Sequence, residues 1–407
     1  MNRIAFNLII AAGCILGMWQ AAKFGAGRTL AQSGVARNDP AATSRAISWS
    51  SSDASTYTAQ GLVFERLGNY PEAIRALERA VQLRPRDYFP WMLLGVTRDL
   101  NGDQLGAMNA LRQSIAVAPT YGKQHWLLGN LLLRTGPAKD AFQELRFAAV
   151  SDERYLPNVI DLAWGASRND ASVTLALLQP LTDSMRMPLA IFFARQKQRE
   201  AAIDQFRKAG SYSEKDLNTL VTELLKAGLF TETAEVWSLI HGTRVNEADL
   251  LNAGFEEDIP VGQTGFGWQI SPAANVTMSV DTAEWQSGSR SLRFDFQGNS
   301  KPDAILVSQV VLVKPNSSYL LRFQVNSKDL VSAAPPIVLI NEPTGGKTIV
   351  QSTSLAGATG WREASIEFTT SANAEAVLIA VSRQACANSP CPAVGTLWLD
   401  SFQLEKR

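Results

Sequence analysis

Apolar positions along this 407-residue chain fall into four successive patterns. Residues 4–22 form a nearly unbroken apolar run behind Arg3, interrupted by Asn7. Residues 25–52 carry no sustained apolar period and are rich in Gly, Ala and Ser, the composition of a flexible tether. From Asp53 to His241 apolar residues return at helical spacing, with short breaks between the segments. Beyond residue 246 the period drops to two. "RSLRFDF" alternates Leu292, Phe294 and Phe296 with Arg293 and Asp295, and "YLLRFQV" sets Tyr319, Leu321, Phe323 and Val325 on one side. These are strands with one buried face, and "AILVSQVVLV", "PIVLI", "REASIEF", "AVLIAV" and "TLWLDSFQL" predict more of them between turn sequences such as "KPNSS" and "EPTGG". Short, evenly spaced strands with almost no helical period predict an antiparallel β-sandwich.

The helical stretch repeats itself. Tyr57, Gly61, Gly68, Ala73, Leu77 and Pro85 recur 34 positions on as Trp91, Gly95, Gly102, Ala107, Leu111 and Pro119, and again in part as Gly129, Gly136, Ala141 and Leu145. Gly61, Gly95 and Gly129 belong where two helices cross closely, opposite the small Ala73, Ala107 and Ala141. Gly68, Gly102 and Gly136 end the first helix of each pair in a left-handed backbone. Pro85 and Pro119 stop the second helix. This period and these signature positions resemble the tetratricopeptide repeat. About six helix pairs are expected between Asp53 and His241, the last three degenerate. The resemblance implies a protein partner on the concave face of a solenoid; a spacer is the alternative. Arg75, Arg79, Arg84, Arg86 and Arg112 make the early repeats locally basic and read as solvated helix faces, and His125 as a packed or capping residue.

The strand-rich part has its own signature. "NAGFEEDIPVGQTGFGW" comes first, then "GSRSLRF", "SQVVLVKPNSSYLLRFQV" and "GWREASIEFTT", with "GTLWLDSFQLEK" last. That succession, over about residues 250–405, resembles the galactose-binding-like jelly roll, particularly the carbohydrate-binding modules attached to glycan-degrading enzymes. Two features follow from the resemblance. A structural calcium held between the opening segment and the last strand would use Glu256 and Asp400, oxygen ligands that suit a hard cation; a plain polar turn is the alternative. A glycan platform would use Trp285 and Trp398, whereas Trp268, Trp361 and Tyr319 fall at packing positions.

Composition narrows the chemistry. Lys and Arg number 38, Asp and Glu 38, and the net charge is zero, which argues against a nucleic-acid partner. Two histidines and three cysteines leave little for metal or thiolate catalysis, and no nucleophile elbow, zinc-protease helix, phosphate loop or dinucleotide turn is present. Cys386 and Cys391 in "CANSPC" are the plausible disulfide pair, fitting an oxidising compartment; a reduced pair is the alternative. Residues 4–22 reach the ~20 positions needed to span a bilayer. They read as an uncleaved signal anchor, a cleaved signal peptide, or a lipoprotein signal ending at Cys14 in "AAGC". Each sends the body to or across a membrane.

The fold expected is therefore an α + β multidomain chain. Residues 1–24 are a signal anchor or signal peptide, 25–52 a flexible linker, 53–245 a tetratricopeptide-like α-solenoid, and 246–407 a galactose-binding-like jelly-roll β-sandwich. The function expected is a non-catalytic, membrane-anchored, extracytoplasmic scaffold. It docks a protein on its repeats and binds a polysaccharide through the sandwich, as surface-polysaccharide assembly or export would require. A protein-interaction scaffold without glycan binding and a cryptic glycan-active enzyme are the alternatives.

Overall fold

The computed structural model describes residues 3–179, 182–260, 264–386 and 390–407, with side chains from residue 11 onward. It divides into two compact units, Met1–Met185 and Arg186–Arg407.

The first unit is helical: α1 (Arg3–Arg37), α2 (Pro40–Trp49), α3 (Ala54–Arg66), α4 (Tyr70–Leu83), α5 (Tyr88–Leu100), α6 (Gln104–Val117), α7 (Gly122–Thr135), α8 (Ala138–Ser151), α9 (Leu156–Ala166) and α10 (Ala171–Leu178). Consecutive helices pack as antiparallel-type hairpins, and α4 stacks on α5 and α6 on α7. The repeated glycines sit at the crossings. A Cβ on Gly61 would lie 2.6 Å from Leu77, on Gly95 2.6 Å from Leu111, and on Gly129 2.7 Å from Leu145. Only a hydrogen fits there, so the helix backbones approach until the leucine fills the space. Asp53 and Asp87, one repeat apart, cap α3 and α5 by accepting from the Ser55 and Phe89 amides, both at 3.1 Å; each such cap stabilises its helix by about 1 kcal/mol. The next repeat has Tyr121 in that place and no side-chain cap.

Two expectations are corrected here. Gly68 and Gly102 take the left-handed backbone at φ +74° and +85°, but Gly136 is extended at φ −140°. It precedes Pro137, whose ring drives the residue before it into the extended region. Residues 25–52 are not a flexible tether: the second half of α1 and all of α2 form a further hairpin packed on α3. The small residues that suggested flexibility are a helix seam, since a Cβ on Gly27 or Gly34 would come within 2.8 Å of Ser50 or 2.6 Å of Thr43. Towards its start α1 leaves Ile15, Leu16, Met18 and Trp19 exposed. Among the described residues no helix is long and apolar enough to cross a membrane.

The second unit begins with α11 (Arg186–Arg195), α12 (Arg199–Arg207), α13 (Glu214–Ala227) and α14 (Phe230–His241). The strands follow: β1 (Gln269–Ile270), β2 (Val276–Asp281), β3 (Ser291–Gly298), β4 (Val307–Leu312), β5 (Ser318–Ser332), β6 (Pro336–Asn341), β7 (Thr348–Gln351), β8 (Arg362–Thr369), β9 (Ala376–Arg383) and β10 (Ala393–Lys406). They form two antiparallel sheets, one ordered β1-β4-β9-β6-β7 and the other β2-β3-β10-β5-β8. Leu292, Phe294, Phe296, Leu321, Phe323 and Val325 are buried between them with Val338, Ile340, Val377 and Ile379, as the period-two reading requires. Helices and sandwich share one unit because α12 and α14 bind the loop before β9. Arg199 pairs with Glu232 at 3.2 Å and with Glu375, whose carboxylate also accepts from Thr231 at 3.3 Å. Trp237 meets Phe266 edge-on at 6.1 Å.

Arg383 is the largest fully buried side chain of the sandwich. Its guanidinium donates to the carbonyls of Ala334 at 3.0 Å, Ser300 at 2.6 Å and Cys391 at 2.7 Å, and to the hydroxyls of Ser300 and Ser332. One cation thereby ties three loops together, among them the loop closed by the Cys386–Cys391 disulfide.

Candidate functional site

The outward face of the second sheet gathers polar groups around aromatic rings. Strand register decides which ones. Trp398 on β10 lies opposite Arg293 on β3 and Asn326 on β5, while its neighbours Leu397 and Leu399 point into the core. The Trp398 indole N–H donates to Asp281 at 2.8 Å, and the Arg293 guanidinium stands 5.6 Å from the ring centroid, within cation–π range. Arg293 also forks onto Asp295 with two bonds of 2.9 Å and reaches Asp281 at 3.3 Å; Thr396 donates to Asp295 at 2.9 Å. The Asp295 fork, outweighing burial, raises the Arg293 pKa above the usual arginine value. Burial pushes the Asp281 carboxyl up, but the Trp398 N–H, the Ala283 amide and Arg293 together hold it below the ordinary aspartate value. Asp281 and Arg293 are thus charged and fixed.

Beside this network Glu284 accepts from the Trp361 indole at 2.8 Å and from Asn326 at 3.2 Å, while Asn326 accepts from the Gly360 amide at 3.1 Å. Next along the chain is Trp285, 43% exposed. Trp285 is accessible, as a platform residue must be. Trp398 is 7% exposed and lies under Arg293, so its ring offers no free face; the expectation that it is an open platform is corrected to a covered floor. Trp361, read from the sequence as packing, is half-buried and belongs to this face, whereas Trp268 and Tyr319 are core residues. Sequence reasoning also missed Asp281, Glu284, Arg293 and Asn326. Alternation with core residues marks Asp281, Arg293 and Asn326 as outward, but which outward residues meet, and that the loop residue Glu284 joins them, depends on a strand order that is not sequential.

Glu256 and Asp400, expected around a cation, grip one segment from two sides. Asp400 sits fully buried at a bulge in β10. Its carboxylate accepts from the Gln286 amide at 2.9 Å, the Ser287 amide at 3.0 Å and the Ser401 amide at 2.6 Å. Glu256 accepts from the Ser289 amide at 3.0 Å, the Ser289 hydroxyl at 2.7 Å and the Arg290 amide at 3.3 Å, and the Ser289 amide foremost holds its carboxyl below the usual range. Among the described residues no group of three or more His, Cys, Asp or Glu side chains converges as a metal site would.

A cleft of about 700 Å³ lies elsewhere in the same unit, between Trp237 and His241 of α14 and the opening turn from Leu251 to Pro260. Two of its carboxylates are engaged, Glu256 by Ser289 and Asp258 by Arg290 at 2.9 Å. In the first unit a groove of about 540 Å³ runs between α1 and α3, lined by Ala31, Val35, Ala59, Leu62 and Phe89 with Arg28 and Arg84 at its side. Both arginines pair with the buried Asp53 carboxylate, at 2.7 and 3.1 Å. Deeper in the array His125 sits between Glu144 at 2.6 Å and the Pro119 carbonyl at 2.9 Å. Burial alone would lower its pKa, but these two acceptors raise it above the ordinary histidine value.

Residues 248–390 match the carbohydrate binding domain family and residues 54–87 the tetratricopeptide repeat family. A structure described as "CBM4 structure and function" is similar over 39% of this chain and 100% of its own, at 14% identity and TM-score 0.31. "YrrB: a TPR protein with an unusual peptide-binding site" is similar over 39% of this chain and 86% of its own, at 15% identity and TM-score 0.32. A family 16 carbohydrate-binding module covers 38% of this chain at 15% identity and TM-score 0.27. The comparison with curated proteins returned no significant match. The chain carries tetratricopeptide repeats, a type used for protein–protein contact, and a C-terminal domain of carbohydrate-binding type; both types are generally non-catalytic.

Proposed function

We propose that this tetratricopeptide-repeat protein, with its C-terminal carbohydrate-binding-type sandwich, is a non-catalytic scaffold that docks a protein on its repeats and holds a neutral glycan on the outer face of the β2-β3-β10-β5-β8 sheet. The observation that carries the reading is the ring of fixed donors and acceptors (Asp281, Arg293, Asp295, Asn326, Glu284) around Trp398, flanked by the accessible Trp285 and Trp361. An indole face takes the apolar face of a sugar, and planar amide, carboxylate and guanidinium groups take its hydroxyls in pairs. Within this ring three carboxylates stand against one guanidinium, a net acidic cluster that repels uronate chains and admits neutral ones. The apolar groove between α1 and α3 supports protein docking at the repeats.

On the same reading, the exposed apolar start of α1 lies in a membrane and the body outside the cytoplasm, where a disulfide persists. A place in surface-polysaccharide assembly or export follows from that combination. The covered ring of Trp398 favours the rival in which the sandwich touches no sugar. Affinity electrophoresis of the full chain against neutral polysaccharides and polyuronates decides between them. Retardation by a neutral polymer is expected, weakened at least about tenfold, or ~1.4 kcal/mol, by Trp285→Ala and Arg293→Ala. Retardation by none overturns the glycan reading. New reducing ends that vanish with a single carboxylate change would make the protein an enzyme.

A further inference from the structure

Residues 282–290, between β2 and β3, carry Trp285 across one end of the sheet. Four amides of this loop, those of Gln286, Ser287, Ser289 and Arg290, end on two carboxylates from distant parts of the chain. Gly288 stands between them at φ +70°, where a Cβ would lie 2.0 Å from a Glu256 oxygen. The backbone therefore closes onto Glu256 as only glycine allows. From the other side, the Phe402 amide donates to the Ala253 carbonyl at 3.0 Å and the Trp268 indole to the Asn252 carbonyl at 3.1 Å, so the opening turn that bears Glu256 is itself fastened to β10.

A calcium ion needs oxygen lone pairs turned towards it from carboxylates, carbonyls and water. Here the Asp400 and Glu256 oxygens face N–H groups, whose hydrogens carry positive charge. A cation on those oxygens would displace the N–H donors and meet their repulsion. The residues present do not fit a calcium ligand set; they fit an amide clamp, the arrangement in which charge-assisted bonds to backbone N–H groups are strongest.

We infer that Glu256 and Asp400 hold the Trp285 loop directly through its backbone amides, as positioning residues, and that this fold requires no cation at that place. The consequence for Trp285 rests on the glycan reading; the clamp itself does not. The full-length protein tests both parts. Melting in excess EDTA and in millimolar calcium is expected to coincide, and terbium luminescence to show no saturable site. In Glu256→Ala, hydrogen exchange at the Ser289 and Arg290 amides rises on the order of tenfold, and Glu256→Gln, which keeps one acceptor oxygen, restores most of the protection. Neutral-glycan affinity falls in Glu256→Ala and returns in Glu256→Gln. Asp400→Asn, fully buried, can lose the fold, and the exposed Glu256 pair keeps the inference open to failure in that case. Calcium-dependent melting of the wild type, or unchanged exchange in Glu256→Ala, overturns it. Absence of glycan binding with calcium independence and altered exchange intact removes only the glycan reading.

Discussion

In the helical unit one contact recurs: Gly61 meets Leu77, Gly95 meets Leu111 and Gly129 meets Leu145, each pair sixteen positions apart. In the sandwich the bonds that matter join remote segments, with Trp398 reaching Asp281 across 117 positions and Gln286 reaching Asp400 across 114. Glycine shows the same contrast. Within α3, α5 and α7 it is small so that helices can cross; at Gly288 and Gly395 it supplies backbone angles and clearance in a single place. The Asp329 carbonyl would lie 2.3 Å from a Cβ on Gly395. A solenoid spreads its stability over near-neighbour contacts, so damage to one repeat is felt locally. A sandwich depends on a few long-range contacts at once, so damage to one of them is felt throughout its unit.

The largest expected effect comes from Arg383→Ala, which takes the guanidinium donor from the Ser300 and Cys391 carbonyls and the Ser300 hydroxyl inside the sandwich. A loss of about 3–5 kcal/mol is expected, read as an earlier unfolding transition in near-ultraviolet circular dichroism while the helical signal of residues 1–185 keeps its midpoint. A common shift of both transitions would break the two-unit picture. Gly95→Val comes next. Its side chain enters the space of Leu111 and costs about 1–3 kcal/mol, lowering the helical transition and leaving the sandwich transition alone.

Acid and alkali sharpen the comparison with smaller effects. The pKa of Glu247 is held down to about 2, first by Lys314, then by the Tyr319 hydroxyl and Lys406. A depressed carboxyl stabilises above its unfolded value near 4.5 and ceases to as pH falls towards 2. The sandwich should therefore lose about 1 kcal/mol over that interval once solvent screening of this half-buried group is counted, and Glu247→Gln should flatten the slope. His125 has the opposite sign. Its raised pKa contributes stability below the unfolded value near 6.5, lost as pH rises through the folded value. The helical transition should fall between neutral and mildly alkaline pH in the wild type and not in His125→Gln. A helical unit indifferent to alkali would mean that Glu144 and Pro119 do not hold the imidazolium.

The repeats were legible because their information is local. Small, large and proline positions one period apart name both the helices and their crossings, and among the described residues twelve helices, α3 to α14, occupy the stretch from Asp53 to His241, the last four of them in the second unit. The first hairpin was hidden for the same reason that it packs closely: Gly27 and Gly34 resemble linker residues until α2 is placed against them. In the sandwich the alternation of "RSLRFDF" and "YLLRFQV" told core from surface, and it was right for Phe294, Phe323 and Leu321. It did not tell which surface residues are neighbours. Trp398, expected as a platform, is turned outward by its strand, but Arg293, brought alongside by the β3-β10 pairing, covers it.

By itself, then, the order of residues determined two kinds of architecture and where helices yield to strands. Those depend on periodicity and on partners a few positions away. Only the tertiary structure decided that the last four helices belong with the sandwich, that Trp285 and Trp361 rather than Trp398 present rings to solvent, and that Glu256 and Asp400 face amides. Each of these turns on contacts between segments dozens of residues apart, and the energy of such contacts exists only once the chain has brought them together.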